Sequence, residues 1–130
     1  MRQVGYVAAT GIVALNTMID RLEDDHRHAA MIAKGCENGA IKVDLNRVKT
    51  NIVFVDTDPE VITSDQMVNL LADPKFSPDG DEIIVKAITA FSKSRLRLTT
   101  HANVSEDDVS LTVKKIKHIL EIIDKKNSFF

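Results

Sequence analysis

The sequence predicts an α+β domain in which a long N-terminal helix precedes a small, mostly antiparallel sheet of about three to four strands, covered by helices on one face. Residues 2–34 contain no proline and consist mostly of helix-forming residues. Residues 95–101 alternate between apolar and polar side chains, which is typical of a strand with one buried face. The 130 residues suffice for one hydrophobic core, so we treat 1–130 as a single domain.

The N-terminal segment changes composition halfway along. Residues 4–15 leave almost no polar face, whereas residues 20–28 are mostly charged, and both one long helix and two joined helices fit this pattern; Gly35 is the predicted stop. A helix that is apolar all round must be covered on every side. Fewer than a hundred residues remain to do so, and we therefore expect residues 1–35 to pack against another domain or subunit, with 36–130 forming the small α+β part.

Two short strands and a helix are predicted next. Residues 41–45 alternate like a half-exposed strand, and residues 52–55 form a β-branched run. Thr63 and Gln66 have the spacing of a capping box, which begins a helix that Asp73 and Pro74 end. Together these elements form the first half of the predicted sheet and of the helices that cover it.

The second half repeats this order. Residues 83–88 fit a strand better than a helical face because β-branched residues are concentrated there. A tight connection leads to the strand at 95–101. Ser105 and Asp108 then begin a final helix with one apolar face.

Composition excludes several classes of function. Seventeen basic residues against nineteen acidic ones give a net charge of −2, which is not the strongly basic footprint of a nucleic-acid-binding protein. The sequence has neither an apolar run of spanning length nor a signal-peptide pattern, so we expect no membrane partner and a cytoplasmic location. The lone Cys36 has no partner for an internal disulfide, which agrees with a reducing compartment.

The chain lacks the usual catalytic and metal-binding patterns. No glycine-rich phosphate loop occurs. Asp24, His26 and His28 are metal-ligand types, but they lack the further ligands that a site needs, so we predict no metal. Neither Cys36 nor His118 has a recognisable catalytic partner, and we predict no catalytic residue in this chain.

The strand at 95–101 carries the most suggestive group of side chains. Alternation places Arg95, Arg97, Thr99 and His101 on one face, and the leucines between them on the other. A guanidinium binds a carboxylate or phosphate through two parallel hydrogen bonds. This face is therefore either an anion-binding site or a solvated sheet face without a ligand.

Four segments together resemble a known family. These are Met1-Arg2-Gln3-Val4-Gly5, the acidic stretch at 21–26, Thr50-Asn51-Ile52-Val53-Phe54, and residues 97–101 followed by Val104-Ser105. Their order and spacing resemble the C-terminal end of the threonine aldolases, and the resemblance covers nearly the whole chain. It implies the small C-terminal domain of an aspartate-aminotransferase-like enzyme that uses pyridoxal phosphate to cleave threonine or allo-threonine to glycine and acetaldehyde.

The resemblance also assigns roles to two residues. Arg97 corresponds to the arginine that holds the α-carboxylate of the amino-acid substrate, and Arg2 to an arginine near the cofactor phosphate that reaches a neighbouring subunit's site. The family's dimers or tetramers imply a homo-oligomer. The lysine that binds the cofactor covalently belongs to the family's large domain, which has no counterpart in these residues, so we expect this chain alone to be inactive.

Two other hypotheses fit the sequence. The chain is alternatively a non-catalytic regulatory module that pairs with a full-length aldolase chain. It is otherwise an unrelated interaction module whose basic strand face binds an acidic partner.

Overall fold

A computed structural model describes residues 2–36 and 39–127. The helices are α1 (Val4–Thr17), α2 (Leu22–Gly35), α3 (Ser64–Ala72) and α4 (Glu106–Asn127). The strands are β1 (Ile41–Lys42), β2 (Ile52–Thr57), β3 (Ile88–Thr89) and β4 (Arg95–Thr99), with short 3-10 turns at Leu45–Arg47, Pro74–Phe76 and Pro78–Gly80. The predicted α+β class is confirmed. No helix of the described residues is long and apolar enough to cross a membrane.

The four strands form one antiparallel sheet in the order β1-β2-β4-β3. One face packs on the helices and forms the core, in which the alternate residues of β2 and β4 are buried. These are Val53, Val55, Leu96 and Leu98. The intervening residues of β2 and β4 lie on the other face, which we call the uncovered face because the buried sides of α2, α3 and α4 join the core. The 3-10 turn at Leu45–Arg47 borders this face, since Arg47 and Val48 line a small pocket with Phe54 and Arg95.

The N-terminal segment is two helices rather than one continuous helix, and the break lies at residues 18–21. It falls where the all-apolar stretch gives way to a charged one. Helix α1 has no buried residue. Helix α2 buries one face, which includes Ala29 and Ala33, and ends at Gly35 as predicted. The first helix is therefore outside the core.

The predicted helix starts are confirmed in detail. Thr63 N donates to Gln66 Oε1 at 2.9 Å, and Gln66 N donates to Thr63 Oγ1, which completes the capping box of α3. Ser105 N donates to Asp108 Oδ2 at 2.8 Å, and Asp108 N donates to Ser105 Oγ at the start of α4. In each case the two bonded residues are three positions apart, so the sequence alone predicts where these helices begin.

The strand predicted at residues 83–88 is wrong for most of its length, because only Ile88 belongs to a strand there. The backbone at 83–85 bonds elsewhere: Val85 N donates to Leu71 O at 2.9 Å, and Lys115 Nζ donates to Ile83 O. The strand at 41–45 is also shorter than predicted. Asp44 ends it, because its side chain accepts a hydrogen bond from Asn46 N and begins a 3-10 turn.

Two further predictions concern strand and turn ends. The strand at 95–101 ends at Thr99, two residues early. The turn predicted at residues 36–39 includes residues 37 and 38, which lie outside the described residues.

Candidate functional site

The candidate site is the uncovered face of the sheet around Arg97. Arg97 lies in the register between Phe54 of β2 and Ile88 of β3. Alternation along β4 sends Leu96 and Leu98 into the core and leaves Arg97 half-buried on the opposite face. The structure thus confirms that the basic residues of β4 share a face.

Arg95 and Arg97 differ in their partners. Arg95 forms a two-pronged ion pair with Asp56, with Nε to Oδ1 at 2.5 Å and Nη2 to Oδ2 at 2.8 Å. Its guanidinium carbon also lies 5.8 Å from the centre of the Phe54 ring. The hydrogen bonds that Arg95 donates to the Asp56 carboxylate raise the pKa of Arg95. The charge of Arg95 is therefore neutralised within the sheet.

Arg97 forms no side-chain hydrogen bond or ion pair with any residue that the structure describes, and its Nε is buried without a partner. A buried donor without an acceptor costs about 1–3 kcal/mol. A carboxylate or phosphate oxygen would supply the missing acceptor. Of the two arginines in β4, Arg97 is consequently the one available to an anion.

Two aromatic rings flank this face. Phe91 lies in the connection between β3 and β4 with φ 66°, and its ring centre is 5.9 Å from that of Phe54. Its side chain is 91% exposed. A bulky residue at positive φ is strained, and such strain is concentrated at functional sites. This aromatic pair is not evident from the sequence, because Phe91 lies 37 residues after Phe54, although Phe54 lies between two buried valines.

Arg2 is the second residue to which the resemblance assigns a role. It is an exposed residue just before α1, and it makes no hydrogen bond or ion pair with the described chain. No hydrogen bond or ion pair joins Arg2 to Arg97 among the described residues, and its assignment to the cofactor phosphate stays a prediction.

The other candidate residues do not form a site. Asp24 pairs with Arg27, with Oδ1 to Nη2 at 3.2 Å, while His28 is buried. The residues that the structure describes contain no group of three potential metal ligands. Cys36 is buried, and burial raises the pKa of its thiol to about 12, so the nucleophilic thiolate does not form near neutral pH.

Comparison with known proteins points to one group of enzymes. Residues 1–60 match the family model described as "Beta-eliminating lyase". The chain is 30% identical over 124 residues to a probable low-specificity L-threonine aldolase 2 of Arabidopsis thaliana, covering 92% of this chain and 31% of that protein. It is 31% identical over 111 residues to the low specificity L-threonine aldolase of Escherichia coli (strain K12), covering 85% of this chain and 28% of that protein. The chain thus spans less than a third of the length of these curated relatives.

Proposed function

The chain is related to the threonine aldolases over most of its length, and from this we propose that it supplies the substrate-carboxylate site of a pyridoxal-phosphate-dependent carbon–carbon lyase. The substrate is threonine or allo-threonine, and the products are glycine and acetaldehyde. The observation that carries the proposal is the unpartnered guanidinium of Arg97 on the uncovered face of the sheet. The relatives' names support the lyase class, and the role of Arg97 rests on the resemblance together with its missing acceptor.

Arg97 fits the task of a carboxylate clamp. Its Nε lacks an acceptor, and its neighbour Arg95 is already paired with Asp56, so one guanidinium is available for one carboxylate. Phe54 lies directly opposite Arg97 in the register of β2 and β4. Two parallel hydrogen bonds to a carboxylate fix the orientation of the amino acid as well as its position.

This orientation matters for the reaction. When bound, pyridoxal phosphate withdraws electrons from the substrate's Cα and weakens the bonds around it. By holding the carboxylate, Arg97 decides which bond at Cα is aligned for cleavage. Arg2 would contribute to the phosphate site.

The described residues fit only part of what this enzyme needs. They offer a carboxylate clamp, but no glycine-rich phosphate cradle, and the buried Lys115 is held by backbone carbonyl oxygens. The covalent attachment of the cofactor therefore belongs to the remaining length of the aldolase. On this proposal, these 130 residues alone do not cleave threonine.

Helix α1 would pack against that remaining part. None of its residues is buried, and its large apolar side chains are more than half exposed, as in Val7 at 61% and Leu15 at 67%. A helix that is apolar on every side needs a groove rather than a flat partner surface. The rest of a protein more than three times as long, in a dimer or tetramer, supplies such a groove.

The native protein tests the proposal directly. An antibody against residues 105–120 captures it from its source, and its intact mass and its production of glycine from threonine are measured. We expect a mass several times 14.4 kDa and threonine cleavage. A native mass of 14.4 kDa would instead favour a regulatory module that pairs with a separate full-length chain.

A variant separates the role of Arg97 from a general effect of charge. In the full-length enzyme, Arg97→Met should lower kcat/KM for threonine at least a hundredfold, through a higher KM and a lower kcat, because the clamp both binds and orients the substrate. Lys117→Met is the control, because Lys117 is an exposed cation on α4, whereas the exposed Arg47 lines a pocket with Phe54 and Arg95. Equal losses in both variants would contradict a specific carboxylate clamp.

A further inference from the structure

A cavity lies between the segment at 84–86 and the end of β4, beside the first turn of α4. Its volume is about 510 Å³, and its lining includes Lys86, Thr99, His101 and Asp108. Arg97 is not among its lining residues. This volume is in the range of small-ligand sites. We call it the Thr99 cleft.

The cleft exists because one strand is held away from its neighbour. Ile88 is opposite Arg97, so a continuing register would place Lys86 opposite Thr99. The segment is instead anchored on the far side by the fully buried Lys115, whose Nζ donates to Leu71 O and Asp73 O at 2.8 Å and to Ile83 O. Val85 N donates to Leu71 O as well. These bonds make the gap a built feature of the fold.

The backbone of Thr99 offers the first donor to this gap. Thr100 N donates to Asn51 O at 2.9 Å, toward β2. Neighbouring residues of a strand direct their N–H groups to opposite sides, so Thr99 N points to the side of Lys86. It has no hydrogen-bond partner in the described part of the chain.

Two side chains add further donors. His101 Nδ1 accepts a hydrogen bond from Asn103 N at 3.3 Å, so the neutral ring carries its proton on Nε2. Neither His101 Nε2 nor the ammonium of Lys86 has a partner among the described residues. Together with Thr99 N, these groups match the oxygens of a carboxylate.

The opposite charge and an apolar surface are also present. Asp108 Oδ2 accepts from Ser105 N and Ser105 Oγ, and these hydrogen bonds lower the pKa of Asp108, so it is ionised at neutral pH. Its other oxygen, Oδ1, accepts no hydrogen bond from the described residues and can therefore bind a cation. Ile32 and Leu98, both almost fully buried, form an apolar part of the lining.

We propose that the Thr99 cleft binds a free α-amino acid with an aliphatic side chain. Its carboxylate meets Thr99 N, His101 and Lys86, its ammonium meets Asp108, and its side chain lies on Leu98 and Ile32. A simple carboxylate would place a second negative charge near Asp108 and leave Asp108 Oδ1 without a donor, which is why the zwitterion fits better. This site is separate from the clamp at Arg97 and does not depend on the proposed function.

Binding to the 130-residue chain tests the proposal. Equilibrium dialysis with radiolabelled L-leucine measures affinity, and 15N NMR locates the site. Two matched probes each lack one group: 4-methylpentanoate has no ammonium, and L-leucinamide has no carboxylate. We expect saturable binding of leucine with shifts at the Thr99 and His101 amides, and at least tenfold weaker binding of both probes.

Variants assign the binding to the cleft. Lys86→Gln and Asp108→Asn should each weaken leucine binding at least tenfold, whereas the exposed controls Lys93→Gln and Asp107→Asn should not. Lys86 lies on an exposed segment, so its variant remains informative if Asp108→Asn disturbs the start of α4. Absence of leucine binding would overturn the proposal. Binding that Arg97→Met abolishes and Lys86→Gln leaves intact would also overturn it, while supporting the clamp.

Discussion

Phe54 and Arg97 lie directly opposite each other on β2 and β4, on the uncovered face of the sheet. Thr100 N donates to Asn51 O, which places the Phe54–Arg97 pair among the positions that exchange no backbone hydrogen bonds. Side chains approach most closely at such positions. Arg95 and Phe91 contact the Phe54 ring from other directions, at 5.8 Å and 5.9 Å between centres. The ring is thereby fixed beside the unpartnered guanidinium.

The two arginines of β4 should differ in their contributions to stability. Arg95→Met removes a two-pronged ion pair with Asp56, and a double-mutant cycle with Asp56→Asn should give a coupling of about 0.5–1 kcal/mol. Arg97→Met removes a buried donor that has no acceptor among the described residues, so it should leave the free energy of unfolding unchanged or raise it by up to about 1–3 kcal/mol. Urea unfolding measures both. A large loss in Arg97→Met would show that Arg97 has a structural role.

The sequence could predict the shared face of Arg95 and Arg97 but could not tell the two residues apart. The face follows from alternation, a local property of β4. The partner of Arg95 is Asp56, 39 residues earlier, and only the register of β2 against β4 brings them together. Which of the two arginines is left without a partner therefore depends on contacts between residues that are far apart in the sequence.

The strand predicted at 83–88 failed for a related reason. Its β-branched residues favour a strand, and Ile88 does pair with Arg97. The buried ammonium of Lys115 and the carbonyl of Leu71 offer the preceding residues other hydrogen bonds. Capping boxes were predictable because both partners lie within four residues.

Lys115 should be essential for holding residues 83–85 in place. Lys115→Met leaves the carbonyl oxygens of Leu71, Asp73 and Ile83 without this donor, which should lower the free energy of unfolding by about 1–3 kcal/mol. The Val85 amide, bonded to Leu71 O, should exchange its hydrogen faster. Lys114→Met is the control, because Lys114 only pairs with exposed aspartates. Unchanged exchange at Val85 in Lys115→Met would contradict the anchoring role.

Gly35 is required by the close packing of α2 on α4. A Cβ at this position would lie 2.5 Å from Val113 Cγ1. Gly35→Ala should therefore destabilise the chain by about 1–3 kcal/mol, as overpacking does. Val113→Ala removes the clash, so the double variant should recover part of the loss relative to additivity. Additive losses in thermal unfolding would show that the cost of Gly35→Ala does not arise from the contact with Val113.

The thiol of Cys36 should make stability fall at high pH. Burial raises its pKa in the folded chain from 9.0 to about 12, so between these values the unfolded state releases a proton that the folded state keeps. The free energy of unfolding is therefore unaffected by Cys36 below pH 9 and falls as the pH rises from 9 toward 12. Cys36→Ala should show a shallower decline in the free energy of unfolding over that range. In addition, a thiol reagent at pH 8 should label Cys36 in urea but only slowly in the folded chain.

Removing α1 should leave the remaining domain intact. The helix buries none of its own residues, and the core consists of residues from Ala29 onward. A chain of residues 19–130 should therefore have the same urea midpoint as the full chain. The full chain, by contrast, should self-associate and bind a hydrophobic dye, because the apolar side chains of α1 form a contiguous exposed surface that promotes association. Sedimentation with both chains at equal concentration measures the difference, and point substitution of Val7 and Leu15 by Gln serves as the matched control for the deletion. If the shortened chain unfolds at lower urea, α1 contributes to the core of this domain, and the groove that covers it need not come from the rest of an aldolase.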